Sequence, residues 1–250
     1  MVEDHTLQDA LQEAKAAHFD AGGGACDYAG LATSREHGRI AGCLAGLEAF
    51  DPKRIYIPAQ TAFWLNVFNA VVLRDAAELA ICDSAREVER FFERPRLKVA
   101  GLSYSLDDIE HGLLRGNVPK FGSRRTPMQR DDPRLVYMPL AYDERTHFAM
   151  YSASHSSPPF RIFDAGKLDA QFEDATAEYL QRHVRVENQG ALVVLPRLFY
   201  WYKGDFGGEQ GALEFALGRL DEETVDLVDR RRGRVKIRYA QFDWTLNRRG

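Results

Sequence analysis

Cysteine is scarce in this chain of 250 residues: Cys26, Cys43 and Cys82 are all there is. The number is odd and no two stand two or three residues apart, which argues against a disulfide framework and against a zinc knuckle. Cys43 and Cys82 lie among Ala, Leu and Ile, so a small buried hydrophobe is the expected role. The sequence also lacks H-E-x-x-H, a Walker-type loop and a dinucleotide glycine motif; Gly22-Gly23-Gly24 follows a predicted helix, not a strand. No metal and no cofactor are therefore expected. No apolar run approaches the roughly 18 residues needed to cross a bilayer, so no membrane span is expected. The opening Met1-Val2-Glu3-Asp4-His5 has neither a basic n-region nor an apolar h-region, which predicts a cytoplasmic chain without a secretory signal; a clipped exported form would look the same. An excess of positive charge is missing too. The net charge is -4, and the basic clusters at 124–125, 230–232 and 248–249 have no interleaved aromatic platform, so they read as solvated surface and no nucleic-acid partner is expected.

What is present suits an ordinary globular protein: 45% apolar and 28% charged residues, enough for one sizeable core. The predicted fold class is α+β, a helix-rich single domain with a small, mainly antiparallel sheet. Ser34 is a candidate N-cap for a helix running to about Phe50, which Asp51-Pro52 breaks. Pro58 opens a second helix to about Leu79 that is apolar nearly all round from Ala62 to Leu73, and is therefore expected at the centre of the core. A short helix is expected from Ala85 to Phe92. A hairpin is expected around Ala100-Gly101, then a helix opened by the capping pair Ser105 and Asp108. Further strands are expected at 147–151, 192–195 and 235–239. Helices are expected from about Ala165 to His183, at 209–219 and at 221–229.

Several blocks, in order, resemble the DUF547 family of unknown function. They are Ala62-Phe63-Trp64-Leu65-Asn66-Val67-Phe68-Asn69-Ala70, Ser105-Leu106-Asp107-Asp108-Ile109-Glu110-His111-Gly112-Leu113-Leu114-Arg115, Asp132-Pro133-Arg134, His147-Phe148-Ala149, Ser156-Ser157-Pro158-Pro159-Phe160-Arg161, Trp201-Tyr202-Lys203-Gly204-Asp205-Phe206-Gly207 and Phe242-Asp243-Trp244-Thr245-Leu246-Asn247. They cover about residues 27–247, which predicts a family domain at 27–250 behind a helical extension at 1–26. The resemblance implies no activity. Bacterial members look like stand-alone domains, and plant members carry the domain behind a coiled coil, which implies a role in assembly. The expected central helix followed by strands also suggests a distant likeness to papain-like or transglutaminase-like folds. Family members commonly carry cysteine at the positions of Ser152 and Ser157. A serine hydroxyl is far less acidic and needs an adjacent base before it attacks.

Each candidate site residue has a plain structural alternative. Asn66 and Asn69 share one helix face; they orient a ligand or tie down loop backbone, since buried amides must be satisfied. Glu110, His111 and Arg115 lie on one short helix, where His111 is a candidate acid/base group; alternatively Glu110 and Arg115 are surface residues and His111 caps a turn. His147, Ser157 and a carboxylate are the elements of a hydrolytic triad, but the Gly-x-Ser-x-Gly elbow is missing. Arg161 suits a carboxylate or phosphate, or pairs with Asp164. Asp205 completes the polar family positions. The expectation is a binding or assembly module for an unidentified small molecule or protein, or an inactive relative of an enzyme. The alternative is a hydrolase or acyl-transfer enzyme with a His base. His111, Asn66 and Arg161 are expected around one pocket.

Overall fold

The computed structural model describes residues 2–231 and 233–249. Helix α1 (Val2–His18) lays Leu7, Ala10, Leu11 and Ala14 into the core and packs on α3. A short α2 (Tyr28–Ala32) leads to α3 (Arg35–Gly46), where Ser34 Oγ accepts from His37 N at 3.2 Å as an N-cap should. The chain then turns through three 3₁₀ pieces, Leu47–Ala49, Pro52–Arg54 and Ile57–Ala59, into α4 (Gln60–Glu78).

Every residue of α4 from Ala62 to Leu73 is buried, so the central position expected from its all-round apolar pattern holds. At about 1.5–3 kcal/mol per fully buried large side chain, this helix is the largest contributor to the core. Trp64 satisfies its indole by donating to the Tyr137 carbonyl at 2.9 Å. Although α4 has 19 residues, no helix among those described is long and apolar enough to cross a membrane.

The expected helix at 85–92 does not form. Only a 3₁₀ turn, Ala85–Glu87, is present, because Val88 swings extended and Arg90 takes a positive φ of 55°. Strands β1 (Leu97–Val99) and β2 (Leu102–Tyr104) make the expected hairpin, pairing Val99 with Leu102 across Ala100 and Gly101. Both turn residues have positive φ, 51° and 74°, the geometry a two-residue hairpin turn requires. The capping pair is reciprocal as expected: Ser105 N donates to Asp108 Oδ2 at 2.9 Å and Asp108 N to Ser105 Oγ at 3.0 Å. The helix that follows is wound as a π-helix, Asp108–Leu114.

No strand forms at 147–151. Glu144–Phe148 is a 3₁₀ helix, and the segment after it is irregular. Its backbone is satisfied by α4 side chains in place of a neighbouring strand: Tyr151 N donates to Asn69 Oδ1 at 2.8 Å, and Asn69 Nδ2 donates to the Ala149 carbonyl at 3.1 Å. Helix α5 (Leu168–His183) precedes β3 (Arg185–Glu187), a strand the sequence pattern did not suggest, and β4 (Leu192–Leu195). Then come α6 (Arg197–Trp201), α7 (Gly208–Leu217), α8 (Glu222–Asp229) and β5 (Lys236–Tyr239). The expected single sheet is thus two small ones: the β1–β2 hairpin, and a sheet of order β3-β4-β5 with β4 antiparallel to β3 and parallel to β5.

Two apolar clusters fill one α+β domain. The larger surrounds α4, and the smaller lies between β4, α6, α7 and the C-terminal half of α5. They share α5, which gives Phe172 to the first and Tyr179 and Leu180 to the second, and they meet at Phe148-Ala149. The cysteine expectation is corrected. Cys26 is the buried one, Cys43 is half-buried and Cys82 is exposed. The basic residues Arg124, Arg125, Arg230, Arg248 and Arg249 are exposed, while Arg232 lies outside the described residues.

Candidate functional site

The π-helix carries the polar residues that matter. Its wider turn is closed by Arg115 N donating to the Glu110 carbonyl at 2.8 Å, five residues back. Glu110, His111 and Arg115 are all buried, which removes the surface alternative for Glu110 and Arg115. Facing them are His147 from the 144–148 turn and Tyr202 and Asp205 from the segment after α6.

Asp205 is the hub. Its Oδ2 and Oδ1 accept from Arg115 Nε and Nη2 at 2.8 and 2.9 Å, a bidentate pair. The same Oδ2 accepts from His147 Nε2 at 2.8 Å and from the Tyr142 hydroxyl at 3.0 Å. Burial alone would raise this carboxyl. The hydrogen bonds and charges of His147 and Arg115 outweigh it and hold the group well below the usual carboxylate range. The His147 ring stacks on Tyr202, centroids 3.7 Å apart and 16° from parallel, and Arg115 lies over the same Tyr202 ring at 4.9 Å. Tyr202 donates to Glu110 Oε1, and burial together with Glu110 keeps its phenol protonated.

These partners fix both imidazole tautomers. A guanidinium has no acceptor, so Arg115 Nη1, 2.9 Å from His111 Nδ1, must donate to it, and the His111 proton sits on Nε2. Burial, assisted by the positive charges of Arg115 and Lys120 and opposed by Asp107, lowers His111 to about 4, so the ring is neutral near pH 7. For His147 the ionised Asp205 accepts at Nε2, which leaves Nδ1 as the lone-pair nitrogen. That Nδ1 is buried and has no hydrogen-bond partner. Burial, only partly opposed by Asp205, lowers the His147 pKa as well.

Above this network opens a cleft of about 530 Å³, within the range of small-molecule sites. Its floor is Asp107, Glu110, His111, His147 and Ser152. One wall is aromatic: Phe242 and Trp244 have centroids 4.5 Å apart, Trp201 and Phe242 5.1 Å, and Phe92 and Trp244 6.1 Å. Lys120 stands at the side and binds Asp107 at 2.8 Å and Glu93 at 2.7 Å. Burial raises Asp107, and the Lys120 bond opposes that rise.

The structure therefore gathers Glu110, His111, Arg115, His147 and Asp205 at one place, but separates the other candidates from it. Asn66 is spent on the Phe163 backbone, donating to its carbonyl and accepting from its amide, both at 2.8 Å. Asn69 holds the 149–151 segment and the Arg161 carbonyl. Arg161 pairs with Glu178 in place of Asp164, and neither Asn66 nor Arg161 is among the cleft residues, so the expected pocket of His111, Asn66 and Arg161 is not formed. Ser157 Oγ donates to the Pro158 carbonyl and accepts from Ser152 N, both at 2.8 Å, so it builds the turn. His155 is exposed. Among the described residues no group of His, Cys, Asp and Glu is arranged to hold a metal ion.

The sequence pattern missed Asp107, Lys120, Tyr142 and Tyr202. Asp107 had a signal, standing four residues before His111 on the same helical run. Tyr202 was hidden inside an aromatic run, and Tyr142 lies in a loop with no pattern.

The chain belongs to the DUF547 family, described as "Protein of unknown function, DUF547", whose sequence model matches residues 53–180, just over half of the chain. The matched span holds Glu110, His111, Arg115 and His147; Tyr202, Asp205 and most of the aromatic wall lie beyond it. No curated protein and no solved structure matches the chain.

Proposed function

We propose that this domain binds a small molecule, or the end of a partner chain, in the aromatic-walled cleft. In this reading residues 27–250 form the binding unit and 1–26 a helical extension docked on it. One observation carries the proposal. The charged floor is tied by its own ion pairs and hydrogen bonds, and an open cleft of about 530 Å³ lies against it. Such preorganisation lowers the entropy lost on binding. A thermal-shift screen with a chemically diverse fragment set tests it. Ligand at about 100 times its Kd stabilises by about 2.7 kcal/mol, and Trp244→Ala should abolish that gain. Fragments that stabilise wild type and Trp244→Ala equally refute the cleft as the site.

A second reading is favoured by the orphan Nδ1 of His147, which has the form of a general base oriented by Asp205. Against it, the hydroxyls of Ser152 and Ser157 are committed elsewhere, to Ser154 and to the Pro158 carbonyl. A hydrolase would therefore have to use water. Turnover of an ester, amide or peptide substrate that is lost in His147→Gln would establish this reading in place of pure binding.

A further inference from the structure

Resting on the cleft as the binding site, we infer that its ligand is a neutral saccharide, a pyranose stacked on the aromatic wall with its hydroxyls on the Asp107, Glu110 and His111 floor. Three features lead there. Trp201, Phe242 and Trp244 form a continuous aromatic surface with centroids 4.5 to 5.9 Å apart. The C–H face of a sugar ring carries small positive partial charges and packs on the negative face of such rings, the same quadrupole attraction that draws cations, in weaker form.

The second feature is hydrogen-bond complementarity. The floor offers acceptors, the carboxylates of Asp107 and Glu110, beside one fixed donor, the Nε2–H of His111, which lies 4.0 Å from Asp107 Oδ1 and carries its proton because Arg115 occupies Nδ1. A ligand must present donors and an acceptor within a few ångströms. Hydroxyl groups do both at once.

The third is charge. A cationic ligand would seek the indole face, but Arg86 already lies over Trp244 at 5.4 Å, and Lys120 already neutralises Asp107 and Glu93. An anionic ligand would meet the Glu110 carboxylate, whose partners are the neutral His111 ring and the Tyr202 hydroxyl. A neutral polyol avoids both conflicts.

The three tryptophans make the test internal. Trp201 and Trp244 line the cleft, whereas Trp64 is buried in the core and bonded to Tyr137. Indole N–H resonances of the full chain are followed while methyl β-glucopyranoside, cellobiose and diacetylchitobiose are titrated, with benzylamine and benzoate as charged comparisons. The expected result is movement of the Trp201 and Trp244 signals with a still Trp64, and at least tenfold weaker binding in Glu110→Gln, where the unmoved Trp64 signal reports an intact fold. If benzylamine or benzoate moves the cleft indoles and no saccharide does, the saccharide inference fails while the cleft reading stands. Saccharide shifts that reach Trp64, or that are unchanged in Glu110→Gln, also overturn it. If no probe moves any indole and the fragment screen is likewise silent, the cleft reading falls with it.

Discussion

Replacing Asp205 by Asn removes one negative charge and almost no volume, so it isolates the electrostatic role of the hub. Arg115 has a side-chain exposure of only 4%, and Asp205 supplies two of its hydrogen bonds. Losing one partner of a buried pair leaves the other charge uncompensated, a cost of about 3–5 kcal/mol. The amide accepts at one atom only, so Arg115 loses one of its two bonds in either orientation, and with the amide nitrogen in the Oδ2 place His147 also loses its acceptor and is freed to take the other tautomer. Chemical denaturation of wild type and Asp205→Asn at pH 7 should show that difference in unfolding free energy. The sign of the pH dependence follows from the depressed carboxyl. The folded state holds Asp205 ionised at pH values where the unfolded chain, with an ordinary carboxyl near 3.9, takes up a proton. The stabilisation is complete above that unfolded value and is lost as pH falls below it, so the gap between the two proteins should narrow below about pH 4. A difference at pH 7 of less than about 1 kcal/mol, or a gap that widens in acid, would refute the reasoning.

Three other outcomes are expected. His111 is lowered to about 4, so its contribution is complete above the unfolded value near 6.5 and is lost as pH falls through that interval; wild type should lose about 3 kcal/mol more than His111→Gln over it, read from denaturation midpoints at several pH values. Asn66→Ala should cost about 2–4 kcal/mol by leaving the Phe163 amide and carbonyl unpaired in the core, and should leave ligand binding at the cleft unchanged in the surviving folded fraction. A thiol alkylator should label exposed Cys82 first and Cys26 only on unfolding, since Cys26 is buried and burial pushes its thiol up; none of the three cysteines lines the cleft, so cleft binding or turnover should survive Cys82 labelling. Turnover abolished by such labelling would contradict the absence of thiol chemistry that serine at 152 and 157 implies.

Much of the framework was legible because local chemistry and tertiary packing agree there. The all-round apolar pattern of 62–73 admits only a buried helix, and Ser34 and the Ser105–Asp108 pair have few other uses. The 147–151 segment does not show its conformation in sequence, because a short apolar run looks the same whether its backbone pairs with a strand or, as here, with the Asn69 side chain from α4. That bond, with the Asn66 bonds to the Phe163 backbone, explains why two polar residues stand in the most apolar helix. The site was half legible. Glu110, His111, Arg115, His147 and Asp205 are polar residues without a periodic reason to be there, and they converge. Their convergence depends on a π-helix and on a turn placed 90 residues away, neither of which leaves a trace in spacing.

The central claim, that the cleft above the Arg115–Asp205–His147 network is where this domain meets its ligand, is tested most directly by soaking crystals with a fragment library and locating the bound density. The account predicts that hits concentrate between Trp244 and Glu110, in contact with the aromatic wall. Hits that leave this cleft empty and gather elsewhere on the surface would contradict it.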